Sequence, residues 1–440
     1  MIDRLWALTF FIAVASDVLS GVIRYYTSLA GAAQVAYLPK IAMLIWIVIV
    51  VVQRPKVSHL LTALYVAVQA CVSLFNGVDP GAVGFWIWAM SPMIFAMLAP
   101  AQAIGLLNRP GTRIAFAILA VLCIVGVLVN YFGPLPWIGA SVSVGGFDVH
   151  VAKSSFVGEV PRLSGFGRDS AATGLLLGLL TTWLLPRLRS LTLTSVLLVA
   201  AALAIWGTTN KTTLIALAFV VALNRFGRLP TIKKACIWAA ALTIVLPLAS
   251  LAVISALNHV VIESGVLSSF GDRMFNTWPG ILDGMVRENL IWLGIGPGGF
   301  GSATTYYPGT FGFKVSFSDN MALYTIANFG VLGGVLLALL LTKFVLSREP
   351  EDRPAWLMLF FLLASGVTTD ICESIGCLLF FGVTIKFMWI GSEGSPFWLG
   401  HSHSRAPQLT ESDLGRNAPA TDRELCDAWR TTDAKAESIG

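Results

Sequence analysis

"IAMLIWIVIVVV", residues 41–52, is an uninterrupted apolar run without a single charge. A strand with one face on water or a polar lumen would alternate apolar and polar residues, and this run does not alternate. A hydrocarbon core about 30 Å thick is crossed by a helix of about 20 mainly apolar residues. Similar runs recur along the 440 residues, which are 56% hydrophobic and 12% charged. The sequence therefore predicts an all-α, polytopic transmembrane helical bundle.

Counting these runs predicts about twelve spans within residues 1–390. The predicted spans are 5–23, 37–52, 60–75, 83–107, 113–132, 171–186, 191–207, 212–224, 236–257, 319–346, 355–369 and 371–390. The remaining residues, 391–440, are polar and lack apolar periodicity, which is typical of a disordered tail.

The distribution of basic residues predicts the orientation. With the N-terminus in the cytoplasm, 15 of the 24 Lys and Arg residues in 1–390 fall on the cytoplasmic side, as the positive-inside rule requires. Two long loops, near 133–170 and 258–318, then face the outer side of the membrane, and the tail is cytoplasmic. Such long loops are frequent carriers of function.

The first long loop ends in "EVPRLSGFGRDSAATG", residues 159–174, where charges gather at the start of a predicted helix. A helix N-terminus and fork-shaped guanidinium groups both favour anions. The glycine of "LSGF" would let the backbone approach a ligand closely. The candidate anion-binding cations on this side are Arg162, Arg168, Lys211 and Arg273. Each could instead be an interfacial cation with its charged end in the headgroup layer.

The second long loop contains apolar residues at helical spacing over 270–285, which predicts an amphipathic helix lying on the membrane surface. Arg273 and Arg287 are fourteen residues apart and would share one edge of that helix. Pro279 would interrupt it. The following "GIGPGGFG" predicts an irregular turn, and it lacks the Gly-Lys-Ser/Thr ending of a phosphate-binding loop.

Five short motifs in this order resemble those of the O-antigen ligase and polysaccharide polymerase superfamily, which are bacterial inner-membrane glycosyltransferases. Arg162 with "LSGF" resembles an Arg-x-Gly-Phe stretch, and "TTNKTTLIAL" resembles a Ser-Arg-Gly span start with Lys211 at the basic position. "GDRMFNTWPGIL" resembles an Arg-x-x-x-x-Trp segment, and "IWLGIGPGGF" resembles a glycine-rich turn. "SDNMALYTIANFGVLGG" resembles a His-Asn-x-x-Leu helix that ends in Gly-x-x-Gly. The resemblance covers residues 159–340.

The His of the last motif is replaced here by Asp319, and an Asp-Asn pair at this place is more typical of polymerases than of ligases. The resemblance implies a GT-C-like, metal-independent glycosyltransferase without a cofactor. Its donor would be an oligosaccharide on undecaprenyl pyrophosphate and its acceptor a growing glycan. A flippase and a chain-length regulator would be its partners, and no nucleic acid is implied. Together, the charge pattern and the resemblance give Asp319, Arg162 and Arg273 as candidate catalytic residues, and Arg168, Lys211, Arg287, Glu159 and Asn320 as candidate substrate-binding residues.

Other interpretations remain open from the sequence. Asp319 could be the N-cap of the helix that follows it, and Glu159 or Asp169 could act as the base in its place. An O-antigen ligase would transfer the glycan to lipid A core. A multi-span transporter or a flippase of lipid-linked glycans would also need many spans, but it would place polar residues at mid-membrane. Asp17 is the best candidate for such a position.

Overall fold

Helices make up most of the protein, as the apolar runs predict. The computed structural model describes residues 2–53, 55–144, 146–157, 160–256, 268–309, 317–347 and 353–391. The first seven helices are α1 (Ile2–Val18), α2 (Ser20–Leu29), α3 (Leu38–Gln53), α4 (Val57–Phe75), α5 (Pro80–Met97), α6 (Ala101–Leu107) and α7 (Pro110–Phe132).

Ten further helices follow the first long loop. They are α8 (Ser170–Leu184), α9 (Leu191–Gly207), α10 (Lys211–Phe226), α11 (Leu229–Ala256), α12 (Ser268–Asp272), α13 (Trp278–Arg287), α14 (Ala303–Tyr306), α15 (Met321–Ser347), α16 (Arg353–Ser365) and α17 (Ile375–Gly391). The predicted disordered tail lies outside the described residues.

Six of the described helical segments are long and apolar enough to cross a membrane: residues 33–53, α4, α5, α7, residues 229–252 of α11 and residues 321–343 of α15. Helices α1 and α2, which meet at 84°, form a seventh candidate as a bent pair. Helices α9, α16 and α17 are apolar but shorter. An all-α helical membrane protein is therefore confirmed, and the count of twelve spans stays a prediction.

The predicted span 83–107 is two helices rather than one. Helix α5 starts at Pro80, where Asp79 caps it by accepting from Gly81 N at 2.6 Å, and it ends at Met97. Pro100 separates α5 from α6, because proline disfavours a helical conformation in the residue before it.

The first long loop contains short strands that the sequence analysis did not predict. β1 (Ser141–Val144) pairs antiparallel with β2 (Phe147–His150), and β3 (Phe156–Val157) pairs antiparallel with β4 (Val160–Pro161). These hairpins shape the segment that leads to Arg162.

Helix α8 is the most enclosed helix that reaches the charged loops. Nearly all of its residues are buried, and the glycines Gly174 and Gly178 let α10 and α16 approach it closely. Helix α8 is therefore surrounded by protein along most of its length.

Helix α15 is broken at Gly330, and the glycine-rich turn docks against the break. Gly330 has φ +68 and ψ 178, so the helical hydrogen bonding stops there. Ile295 N donates to Ala327 O at 2.8 Å, and Val331 N donates to Ile291 O at 2.8 Å. The turn therefore supplies the hydrogen-bond partners that the broken helix lacks.

Candidate functional site

The segment 162–169 is a loop held between helices. Gly165 has φ +57, and a side chain at this position would collide with the backbone of Gly126 in α7. Asn130 Oδ1, also in α7, accepts hydrogen bonds from two backbone N–H groups of the loop at 3.1 and 3.2 Å. Gly21 in α2 donates its N–H to a loop carbonyl at 2.9 Å. The glycine of "LSGF" thus serves close packing on α7, and not the approach of a ligand as the sequence suggested.

This loop carries Arg162 and Arg168, both half-buried. The Nε atom of each is buried and has no hydrogen-bond partner among the described residues. Burial lowers the pKa of Arg162 below its ordinary value. The charges of Asp169 and Asp319 oppose this shift, whereas the charge of Arg273 adds to it. Buried donors are usually satisfied, so both guanidinium groups retain capacity for an anion.

An ion pair joins Arg273, inside the second long loop, to Asp319, which directly follows that loop. Arg273 Nε and Nη2 lie 3.1 and 3.0 Å from Asp319 Oδ2, and the two side chains are 20% and 48% exposed. Asp319 has φ +46, which is uncommon for a residue other than glycine. Its Oδ1 accepts no hydrogen bond from any described residue. We call Arg162, Arg273 and Asp319 the arginine–aspartate cluster.

Asn320, and not Asp319, caps α15. Its Oδ1 accepts from Leu323 N at 2.8 Å, and its Nδ2 donates to Thr243 O at 3.0 Å and to Val367 O at 2.8 Å. The residue is fully buried. These bonds use both amide hydrogens, so Asn320 holds Asp319 in place and offers substrate no donor, in contrast to the substrate-binding role expected from the sequence.

The start of α8 is capped by the chain itself. Asp169 Oδ1 accepts from Ala172 N at 2.7 Å, so a carboxylate of this protein already sits where the sequence predicted a bound anion. Lys211 is the first residue of α10, and the preceding Asn210 donates to Ala171 O at 3.3 Å. The helix that begins with Lys211 therefore starts beside the start of α8.

The segment after 268 is helical as predicted, and its apolar face packs on protein. Trp278, Ile281, Leu282 and Met285 are buried in a core shared with α5 and α15. Pro279 lies in the first turn of α13 and does not interrupt it.

A five-residue π-helical turn, Arg273–Thr277, separates Arg273 from α13 and removes the predicted register between Arg273 and Arg287. Arg287 pairs instead with Asp283 one turn before it and is 75% exposed. The structure thus places Arg287 in a surface pair outside the arginine–aspartate cluster. Glu159 lies outside the described residues.

The structure brings further charged residues to this end of the helices, and the sequence analysis had not assigned them. Arg168 is within electrostatic range of Arg24 in α2 and of Lys40 in α3. It is also within range of Glu373 in the connection between α16 and α17. Arg24 and Lys40 are on the predicted outer side despite the positive-inside bias, and that signal could have identified them.

Asp17 also belongs to this end of the bundle. It is the penultimate residue of α1, and its Oδ2 accepts from Gly376 N at 2.9 Å. Its charge acts on Lys40. Asp17 therefore lies near the end of α1, with a backbone hydrogen bond from the start of α17.

Two buried carboxyl groups lie in the connection between α16 and α17. Burial raises the pKa of Asp370 well above its ordinary value, and the nearby charge of Glu373 raises it further. Burial likewise raises the pKa of Glu373, while hydrogen bonding by Ser302, whose N–H donates to Oε1 at 2.6 Å, opposes the rise. Asp370 Oδ2 is buried without a partner among the described residues. The charge of Asp319 also raises the pKa of Asp370, so this carboxyl pair interacts electrostatically with the arginine–aspartate cluster.

The arrangement suits anion binding next to a carboxylate. Two guanidinium groups from separate loops act on one another and on Asp319, whose Oδ1 remains available as a proton acceptor. Among the described residues, no group of three or more His, Cys, Asp or Glu side chains is placed to hold a metal ion. Metal-independent chemistry stays a prediction.

Comparison of the chain with protein-family models, with curated proteins and with solved structures finds no match in any of the three. The residues and their geometry therefore carry the functional proposal.

Proposed function

We propose that this protein is a polysaccharide polymerase that joins repeat units carried on undecaprenyl pyrophosphate. The observation that carries the proposal is the arginine–aspartate cluster. Its three members come from segments up to 157 residues apart in the chain (162 to 319), yet their charges interact. A pair of guanidinium groups fits a pyrophosphate, and a carboxylate beside it fits an acceptor hydroxyl.

In the proposed reaction, the acceptor hydroxyl oxygen attacks the anomeric carbon of the donor sugar, and its proton passes to Asp319 Oδ1. The bond between that carbon and the pyrophosphate oxygen breaks, and the electron pair stays on the pyrophosphate. Arg162 and Arg273 stabilise the negative charge that develops on this leaving group. Preorganised donors are effective at this task.

Two features support a polymerase over the other candidates. Asp319 stands at the position where the ligases of the superfamily that these motifs resemble have His. The charged residues of the site gather at the ends of α1, α3 and α8 and in the loops, whereas a transporter or flippase would concentrate them at mid-membrane.

The finer topology belongs to this proposal. We propose that the shorter apolar helices also cross the bilayer, which gives about twelve spans in a GT-C-like arrangement. The arginine–aspartate cluster then faces the periplasm of a bacterial inner membrane. A flippase delivers the lipid-linked repeat unit, and a chain-length regulator acts on the product.

Deletion of the gene in the source organism tests this function. We expect the loss of long-chain polysaccharide and the accumulation of single repeat units on the polyprenyl lipid. Long polymer that persists but is no longer attached to lipid A core would instead establish a ligase. Repeat units that accumulate only on the cytoplasmic leaflet would establish a flippase.

A further inference from the structure

Three partly buried cations, in α2, in α3 and in the loop before α8, interact through their charges. They are Arg24, Lys40 and Arg168, which we call the cation triad. Each charge acts on the other two. No carboxylate oxygen of a described residue lies within 4.0 Å of their side-chain nitrogens. Like charges this close repel one another, and burial strengthens the repulsion.

The protein satisfies these cations incompletely. Arg24 Nη1 and Arg168 Nε are buried without a hydrogen-bond partner among the described residues. The nearby carboxylates of Asp17 and Glu373 accept hydrogen bonds from backbone N–H groups at 2.9 and 2.6 Å. They moderate the positive charge without forming an ion pair with the cation triad among the described residues.

Aromatic rings flank the cation triad. The Arg24 guanidinium lies 5.6 Å from the ring centre of Tyr37, and Lys40 Nζ lies 5.4 Å from that of Trp88. The two rings are 6.2 Å apart. Tyr306 is within electrostatic range of Arg24. Cation–π contacts offset only part of the cost of removing a cation from water, so a demand for a negative charge remains.

Cations beside aromatic faces match one class of ligand. The C–H face of a sugar ring packs against an aromatic ring, and a carboxylate on that sugar meets guanidinium and ammonium donors. A phosphate alone would engage only the cations, whereas a sugar ring also offers apolar C–H groups to the neighbouring aromatic rings. We propose that the cation triad, with Tyr37 and Trp88, binds a carboxylate-bearing sugar of the glycan, so that the polymer is acidic. This inference rests on the proposed function, because it assigns the chemical class of that substrate.

Binding to the full-length protein in lipid nanodiscs tests the proposal without requiring transfer. The probes are tetragalacturonate, tetraglucuronate, their methyl esters and inorganic pyrophosphate. At least one of the acids should bind, and its ester, which has the same rings without the charge, should bind at least about tenfold more weakly. Arg24→Gln and Lys40→Gln should each weaken binding of the acid about tenfold or more, since each removes a charge-assisted hydrogen bond.

Matched controls are Arg189→Gln and Lys234→Gln, which remove exposed cations elsewhere in the chain and should leave the affinity unchanged. If a Gln variant does not fold, Arg24→Lys and Lys40→Arg replace it. These keep the charge and should retain binding that weakens as salt is raised.

The proposal would be overturned if the acid and its ester bind equally well. It would also be overturned if both Gln variants bind the acid as tightly as the wild-type protein does. Loss of pyrophosphate binding in Arg24→Gln and Lys40→Gln would overturn it too, because the cation triad would then hold a phosphate. Chain elongation that is unaffected in Arg24→Gln and Lys40→Gln variants that no longer bind the acid would refute this inference alone. Elongation that is unaffected in Arg162→Ala, with acid binding intact, would refute the proposed function alone.

Discussion

Arg162 and Arg168 are carried by the same loop and differ in what surrounds them. Arg162 interacts electrostatically with Arg273 and Asp319. Arg168 interacts instead with Arg24, Lys40 and Glu373. A lysine in place of an arginine keeps the charge and loses the planar fork, which separates bidentate binding from simple attraction.

We therefore expect Arg162→Lys and Arg162→Ala to remove most polymer at normal protein levels, and Arg168→Lys to be largely tolerated. Loss of one preorganised contact to a developing negative charge costs about 3–4 kcal/mol, or about a hundredfold or more in rate. The measurement is the polymer content of membranes with matched expression. Wild-type polymer from a fully expressed Arg162→Ala would show that the residue is only an interfacial anchor.

The buried carboxyl pair Asp370 and Glu373 predicts a pH dependence of stability. A raised pKa means that the folded state binds the proton more tightly than the unfolded state does. The stabilisation is therefore complete below the ordinary Asp value of 3.8 and is lost as pH rises through the raised value. The thermal midpoint of the purified protein should fall with rising pH, and Asp370→Asn should reduce that fall. An unchanged slope in Asp370→Asn would contradict the assignment.

At the residue scale, the sequence predicts Arg162, Arg273 and Asp319 because motif order singles them out. It does not predict Arg24 or Lys40, since each lies within an apolar stretch and looks like an ordinary cation at a helix end. It assigns Asn320 to substrate because an amide gives no sign in sequence of whether its hydrogen bonds are already made. Only the fold shows that Thr243 and Val367 take both hydrogens.

At the element scale, hydrophobic runs locate helices well and their breaks poorly. The predicted span 319–346 matches α15, but the left-handed conformation of Gly330 inside it depends on contact with the turn at 291–296. The predicted amphipathic helix at 270–285 packs its apolar face on protein. Apolar periodicity shows that one face is covered and does not show whether lipid or protein covers it.

The break in α15 predicts an unequal response of two glycines to alanine. Gly330→Ala requires a left-handed conformation and brings a Cβ into collision with the carbonyl oxygen of Trp292. A residue with a side chain at this φ and ψ costs about 1–3 kcal/mol, so the thermal midpoint and the protein level should both fall. Gly84→Ala in α5 has no atom within 4 Å of the new Cβ and should be neutral or stabilising by up to about 1 kcal/mol. Equal midpoints would contradict the role of Gly330.

At the scale of the whole molecule, the proposal requires both long loops to lie in the periplasm. The basic residues predict this orientation. A reporter active only in the periplasm should be active when fused near residue 290, and a cytoplasmic reporter should be active when fused to the tail. A cytoplasmic reporter that is active near residue 290 would refute the site, because lipid-linked repeat units are joined on the other side.

Elongation by the purified protein in proteoliposomes tests the central claim most directly. The substrate is an undecaprenyl-pyrophosphate-linked oligosaccharide of the source organism, and the products are resolved by length without added metal. Wild-type protein should form a ladder of longer glycans and release undecaprenyl pyrophosphate. Arg273→Ala and Asp319→Asn should each slow elongation about a hundredfold or more, while Arg189→Ala should elongate normally. Ladders of wild-type length and rate from folded Arg273→Ala and Asp319→Asn would contradict the arginine–aspartate cluster as the site of glycosyl transfer.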